Sequence, residues 1–209
     1  MNFNGKVILF AGPLYNEPDE ELEKYDIVIR TNNFFNIKEK KSERCDILIC
    51  GKQFIEHKSL HIFRLSIKYL LVKGVESKNK LIRRFVNYNI NNKIYKKREL
   101  REKLENIYSM NFNDELIKKY KFKKKPLLME NFIYYIVKNF KPKTLFIDGI
   151  NFYENNILPD GYKLEKLKDI DIHDMTHKSH DIKKSKEFLK DSLEKYSFIK
   201  TTDFIKSLL

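Results

Sequence analysis

The chain has 209 residues, 42% of them apolar and 13% aromatic, with 42 basic against 29 acidic side chains and a formal net charge of +13. The apolar share excludes a disordered chain, and 34% charged residues with a mean hydropathy of −0.56 exclude a protein built from membrane-spanning helices. No apolar run approaches the roughly 18–20 residues that cross a bilayer, and Val7–Ala11 falls short of a secretory core of about 7–15 residues, so the expected place is the cytoplasm. A charge of this sign favours an anionic partner, whether nucleic acid, an anionic membrane surface or a phosphorylated substrate. The lysines are spread over the whole chain, however, so a plain solvated surface accounts for many of them equally well.

In chain order, "KVILFAG" (Lys6–Gly12) reads as a buried strand stopped by Gly12-Pro13. "NEPDEELEKY" is helix-compatible after its proline. "DIVIR" (Asp26–Arg30), "CDILICG" (Cys45–Gly51) and "IKYLLVKG" (Ile67–Gly74) are further strand candidates. These apolar runs lack alternation, as strands covered on both faces do, and that is the mark of a parallel sheet. Cys45 and Cys50 fall inside the third run in neither a disulfide nor a zinc pattern, which predicts reduced, buried thiols. From about residue 77 to 126 the chain turns strongly basic with helical spacing, predicting a mostly helical insertion or lid. "LLMENFIYYIVKNF" (Leu127–Phe140) predicts a buried helix and "KTLFIDG" (Lys143–Gly149) a fifth strand. "DIKKSKEFLKDSLEKY" (Asp181–Tyr196) has an amphipathic pattern through Ile182, Leu189, Leu193 and Tyr196. A short strand in "SFIK" and a closing helix capped by Thr201 or Thr202 complete the pass. The expected architecture is an α/β, Rossmann-like parallel sheet with helices on both faces, in a single domain over residues 1–209 with 77–126 as the insertion or lid.

In such a sheet, ligands gather beyond the carboxyl ends of the strands. Gly12 and Pro13 end the first strand without a Walker or dinucleotide fingerprint. Arg30, Asn32 and Asn33 follow the second strand, and Asp148, Asn151 and Tyr153 the fifth. These polar groups are suited to a ribose, a base edge or a sugar, and equally to capping turns. "HDMTHKSH" concentrates His173, His177 and His180 at spacings of four and three, which on one continuous helix would share a face and permit a zinc site. With Ser179 as the N-cap of a helix from about His180, that face is lost and the metal reading with it. A histidine near a helix N-terminus stays neutral more readily, as a general base must.

The pieces "KVILFAGP", "DIVIRTNNFF", "CDILICGKQF", "LFIDGINFYENN" and "THKSHDIKKSKEFL" come in the order of the bacterial family 42 sialyltransferases, which the chain resembles everywhere except in its basic middle. The resemblance implies a Rossmann-like fold with a small lid. It also implies inverting transfer of sialic acid from CMP-sialic acid to a glycan hydroxyl, with no metal or other cofactor required. By position, it implies that Gly12 and Pro13 form the nucleotide-binding turn and that Asn32, Gln53, Gly149 and Asn151 bind the donor. It implies that Tyr153 hydrogen-bonds the departing phosphate, with Tyr162 nearest to the second tyrosine of the family. The general base aligns with His177, with His180 as its competitor.

Two positions depart from the family pattern. Ala11 stands where the family has a nucleotide-contacting asparagine, and Met129-Glu130 replace a donor-binding serine-glycine pair. They favour the alternative of a family member that keeps the fold and binds nucleotide or glycan without turnover. A third reading is a basic protein that binds nucleic acid or a membrane surface; no specific nucleic-acid motif is present, and peripheral membrane association is compatible with work on lipid-linked glycans.

Overall fold

The computed structural model describes residues 1–31, 41–51, 67–74, 107–152 and 178–209. Seven parallel strands form one sheet: β1 (Val7–Ala11), β2 (Ile27–Thr31), β3 (Ile47–Gly51), β4 (Tyr69–Lys73), β5 (Ile107–Met110), β6 (Thr144–Asp148) and β7 (Ile199–Thr201). Their order across the sheet is β5-β4-β3-β2-β1-β6-β7. The chain therefore lays down four strands, β2 to β5, outward from β1, then returns to the other side of β1. This is the α/β, Rossmann-like architecture expected from the sequence. The described helices are α1 (Asp19–Leu22), α2 (Asn113–Tyr120), α3 (Leu128–Asn139), α4 (Ile182–Lys195) and α5 (Asp203–Ser207).

Both faces of the central strands are covered, which explains their uninterrupted apolar runs. On one face Ile8, Phe10, Ile29, Ile49, Leu71 and Ile147 pack against Phe132, Ile133 and Ile136 of α3 and Phe188 and Leu189 of α4. Phe10 and Phe132 stack with ring centroids 5.6 Å apart, while Phe3 sets its edge on Phe132 and Phe140. On the other face Leu9, Ala11 and Val28 meet Tyr15, Leu22 and Tyr25 around α1. Both cysteines are free and buried in or beside β3.

Register is set by a local device that recurs. Asp26 precedes β2, and its Oδ2 accepts from the Val7 amide at 2.7 Å while its own N–H donates to the Val7 carbonyl at 2.8 Å. Asp46 precedes β3 and does the same to Val28, at 3.0 and 2.9 Å. Each aspartate thus closes the bottom rung of its strand's ladder with the neighbour, and a one-residue slip would break both bonds at once. Arg44 and Lys68 add ion pairs to Asp46 at 3.3 and 3.0 Å.

Three expectations are corrected. Ile107–Met110, inside the segment read as a helical insertion, is an edge strand of the sheet, and the following α2 buries Leu116 in the main core. Residues 75–106 lie outside the described residues. The N-cap of α4 is Asp181, not Ser179: Asp181 Oδ1 accepts from the Lys184 amide, whereas Ser179 is itself helical ahead of a break at His180. Arg30 belongs to β2, with its guanidinium buried against the Tyr15 ring and donating to the carbonyls of Tyr15 and Arg44. It braces the interior and does not present itself at the sheet edge. The closing helix α5 is capped by Thr202, whose hydroxyl accepts from the Ile205 amide.

Asp46→Ala should lower the unfolding free energy by about 1–3 kcal/mol, since it strands the Val28 amide and removes both ion pairs. Asp46→Asn, which keeps an acceptor oxygen, should lose less; urea unfolding midpoints at constant slope compare the two.

Candidate active site

The order of strands reverses between β1 and β6, and the crevice beyond their carboxyl ends is where an open α/β sheet takes its ligand. Two glycines build it. The Gly12 amide donates to the Asp148 carbonyl at 2.7 Å and the Leu14 amide to the Gly149 carbonyl at 2.9 Å. A Cβ on Gly12 would stand 2.4 Å from the Gly149 carbonyl oxygen. Gly149 has φ +69°, and a Cβ there would stand 2.4 Å from the Tyr15 nitrogen. The two turns are in contact through bare backbone, so the Gly12-Pro13 turn and the Gly149–Asn151 turn form one rigid lip. Asp148 is half-buried, and burial raises its carboxyl pKa against the pull of the Gly149 amide, which donates to Oδ1 at 2.6 Å. Tyr15 behind it is pushed up to about 12 by burial and by the neighbouring Tyr25 and Asp148. Both phenols stay protonated at neutral pH and able to donate.

The second feature is a strap, residues 121–127, between α2 and α3. Its carbonyls and amides are held from three elements. The Lys123 amide donates to Asp181 Oδ2 at 3.0 Å. His180 Nδ1 lies 2.7 Å from the Lys125 carbonyl, Lys73 Nζ donates to the Pro126 carbonyl, and Asn131 Nδ2 donates to the Leu127 carbonyl at 2.9 Å. A carbonyl can only accept, so His180 carries its proton on Nδ1 when neutral and leaves Nε2 as the basic nitrogen. Burial lowers the His180 pKa against that hydrogen bond, and the charges of Lys73 and Lys125 lower it further. The imidazole is neutral at pH 7, as a proton acceptor must be.

Lys73 ends β4, so this corner lies at the same carboxyl edge of the sheet, where α3 and α4 begin. Under it is Glu130, fully buried in the first turn of α3, with neither carboxylate oxygen in a hydrogen bond. Burial raises its pKa, opposed by the Ser185 hydroxyl of α4 and by Lys73. The Ser185 oxygen is also buried without a hydrogen-bond partner. Glu130 is thus turned inward, away from any ligand at the sheet edge. Ala11 faces the interior as well, packed with Tyr15, Leu22 and Tyr25.

Of the residues singled out from sequence, Gly12, Pro13, Gly149 and Asn151 come together at the β1–β6 lip, and His180 stands at the strap. Asn32, Gln53, Tyr153, Tyr162 and His177 lie outside the described residues, as do Asn33 and His173. Lys73 escaped the sequence reading, because one lysine ending "LLVK" resembles a solvated strand end; its place at the last position of a parallel strand is the signal. Among the described residues no group of three or more His, Cys, Asp or Glu side chains is gathered as a metal cage, and no described helix is long and apolar enough to span a membrane.

No family model matches the chain, and no curated protein matches it in sequence. Among solved structures it is similar to the sialyltransferase CstII from Campylobacter jejuni, a structure in complex with the substrate analogue CMP-3FNeuAc. The TM-score is 0.55 at 14% identity, covering 94% of this chain and 80% of the other. The likeness is one of fold.

The raised pKa of Glu130 has a sign that stability must obey. The folded protein keeps a proton that the unfolded chain releases near the ordinary value of 4.5, so this group costs stability progressively as pH rises above 4.5. Glu130→Gln should remove that cost: relative to wild type, its unfolding free energy should be higher at about pH 7 than at about pH 4, as read from urea unfolding at each pH.

Proposed function

We propose that the protein is a sialyltransferase-like, inverting glycosyltransferase that moves sialic acid or a related sugar from a CMP-activated donor to a glycan hydroxyl. The observation that carries this reading is the tethered, neutral His180 at the carboxyl edge of a sheet whose fold is like that of a sialyltransferase. In the proposed step, His180 Nε2 takes the proton of the acceptor hydroxyl as its oxygen attacks the anomeric carbon. The bond from that carbon to the CMP phosphate breaks, and CMP departs with the electron pair. A base of this kind contributes about 10²–10⁴-fold. His177 is the alternative base by alignment; the Nδ1 anchor and lowered pKa support His180.

The CMP moiety is assigned to the β1–β6 lip, with the Gly12-Pro13 turn, Gly149 and Asn151 against it and Asn32 and Gln53 as further donor contacts. Tyr153 and Tyr162 are assigned as hydroxyl donors to the charge growing on the leaving phosphate. No cofactor enters this scheme. The acceptor is a glycan, and one linked to lipid would suit a basic protein working at a membrane face.

The second reading, binding without turnover, is favoured by Ala11. Its methyl is packed into the interior where the family resemblance calls for a nucleotide-contacting amide. The inward turn of Glu130 takes its carboxyl away from an anionic donor at the sheet edge.

Calorimetric titration with CMP, UMP and GMP should show selective CMP binding, weakened in Tyr153→Phe. His180→Ala should then lower transfer by about 10²–10⁴-fold while leaving CMP affinity within about twofold. No binding of any of the three nucleotides would end the donor reading. CMP binding without transfer to any glycan would leave the second.

A further inference from the structure

Lys73 is a half-buried ammonium whose positive charge is incompletely answered. Burial pushes it down to about 8, Glu130 opposing that shift and Lys125 adding to it. A lysine has three donor hydrogens, and among the described residues this one makes a single hydrogen bond, to the Pro126 carbonyl. The groups that face it are Glu130 of α3, Lys125 of the strap and His180 ahead of α4. Glu130 is fully buried, and burial drives it towards its neutral form. Asp181, the other nearby carboxylate, is committed to the amides of Lys123 and Lys184. Among the described residues the corner therefore holds two lysine charges and no carboxylate bonded to Lys73, an arrangement that an incoming anion would complete.

Lys73 and His180 are moored on consecutive carbonyls, those of Pro126 and Lys125, which brings ammonium and imidazole into one corner, near enough for the lysine charge to bear on the ring. We propose that Lys73 is a substrate-binding residue that takes an oxyanion, phosphate or carboxylate, carried by the acceptor close to its reacting hydroxyl. The proposal rests on the transferase reading above for the word acceptor, and on the structure alone for the anion. An inverting base works on the side of the attacking hydroxyl, opposite the leaving phosphate, and an ammonium next to that base meets the acceptor first. An acidic or phosphorylated glycan is thereby the preferred acceptor class.

The test is a titration of the full chain with inorganic phosphate and, separately, with glucuronate, read from the His180 ring resonances with and without saturating CMP. At least one anion should shift those resonances and raise the His180 pKa, with CMP present. Lys73→Met should weaken the effect by about tenfold or more, and Lys73→Arg should retain it. In wild type, the glucuronate response should fade as pH rises through about 8, where Lys73 loses its proton; this arm stands even if Lys73→Met does not fold. A response to phosphate alone assigns a phosphorylated acceptor, to glucuronate alone a carboxylated one, and to both an oxyanion of either kind. Equal affinities in wild type and folded Lys73→Met, or no response to either anion, would overturn the proposal. A response abolished by CMP would give the oxyanion to the donor and overturn the acceptor assignment. Anion binding in a protein that ignores CMP would sink the donor reading while leaving the anion site in place.

Discussion

The two turns beyond β1 and β6 are pressed together until only backbone separates them, and the rest of the site is arranged around that contact. Gly12 and Gly149 each occupy a place where one additional carbon would collide with the other turn or with Tyr15. Parallel pairing brings β1 and β6 side by side, Ala11 opposite Asp148, but pairing alone would leave two separate loops above them. The glycines convert those loops into a single surface, with Asp148, Tyr15 and Arg30 locked beneath by hydrogen bonds and ring stacking. A crevice with such a floor keeps its shape whether or not it is filled, and that is the condition for binding without reorganisation.

Away from that lip, the structure solves a different problem: how to hold charge near the interior without neutralising it. The strap over α3 offers its carbonyls to His180, Lys73 and Asn131 in sequence order, and each side chain comes from a different place in the chain. None of these bonds discharges an ion. They fix position, while burial and the neighbouring lysine charges favour the neutral forms of His180 and Lys73. Glu130 lies below, a fully buried carboxyl whose pKa burial raises, and a core built only for stability would not place it there.

Much of the fold was legible because five of the strands are β-branched, unbroken and ended by glycine or a polar residue. β5 was not: "IYSM" is short, half polar and embedded among lysines, and only its pairing with β4 makes it a strand. Asp26 and Asp46 were visible as the residues ahead of "IVI" and "ILI", but their work on the neighbouring strand depends on register, which pattern does not carry. At the site, Gly12 and Gly149 stood out by type and place, and His180 by its cluster. Glu130 stood out only as a departure from the family pattern, because a sequence does not say which way a side chain turns. Lys73 was hidden for the opposite reason, since nothing distinguishes a half-buried lysine from its solvated neighbours until partners and burial are known.

The sheet order also bears on the sequence of events by which the molecule comes into being. β1, β2 and β3 lie side by side in the order of synthesis, and the aspartates that start β2 and β3 let each strand latch to its predecessor as it arrives. β6 is different, for its place beside β1 closes the whole stretch from Gly12 to Lys143. Contacts of such separation carry the largest closure entropy and are slow to form. The ligand crevice, which exists only once β6 has docked, is therefore among the last features to appear and is absent from any partly assembled chain. A nucleotide seated there would act as a clasp on the joint most remote in sequence, lengthening the life of the folded state.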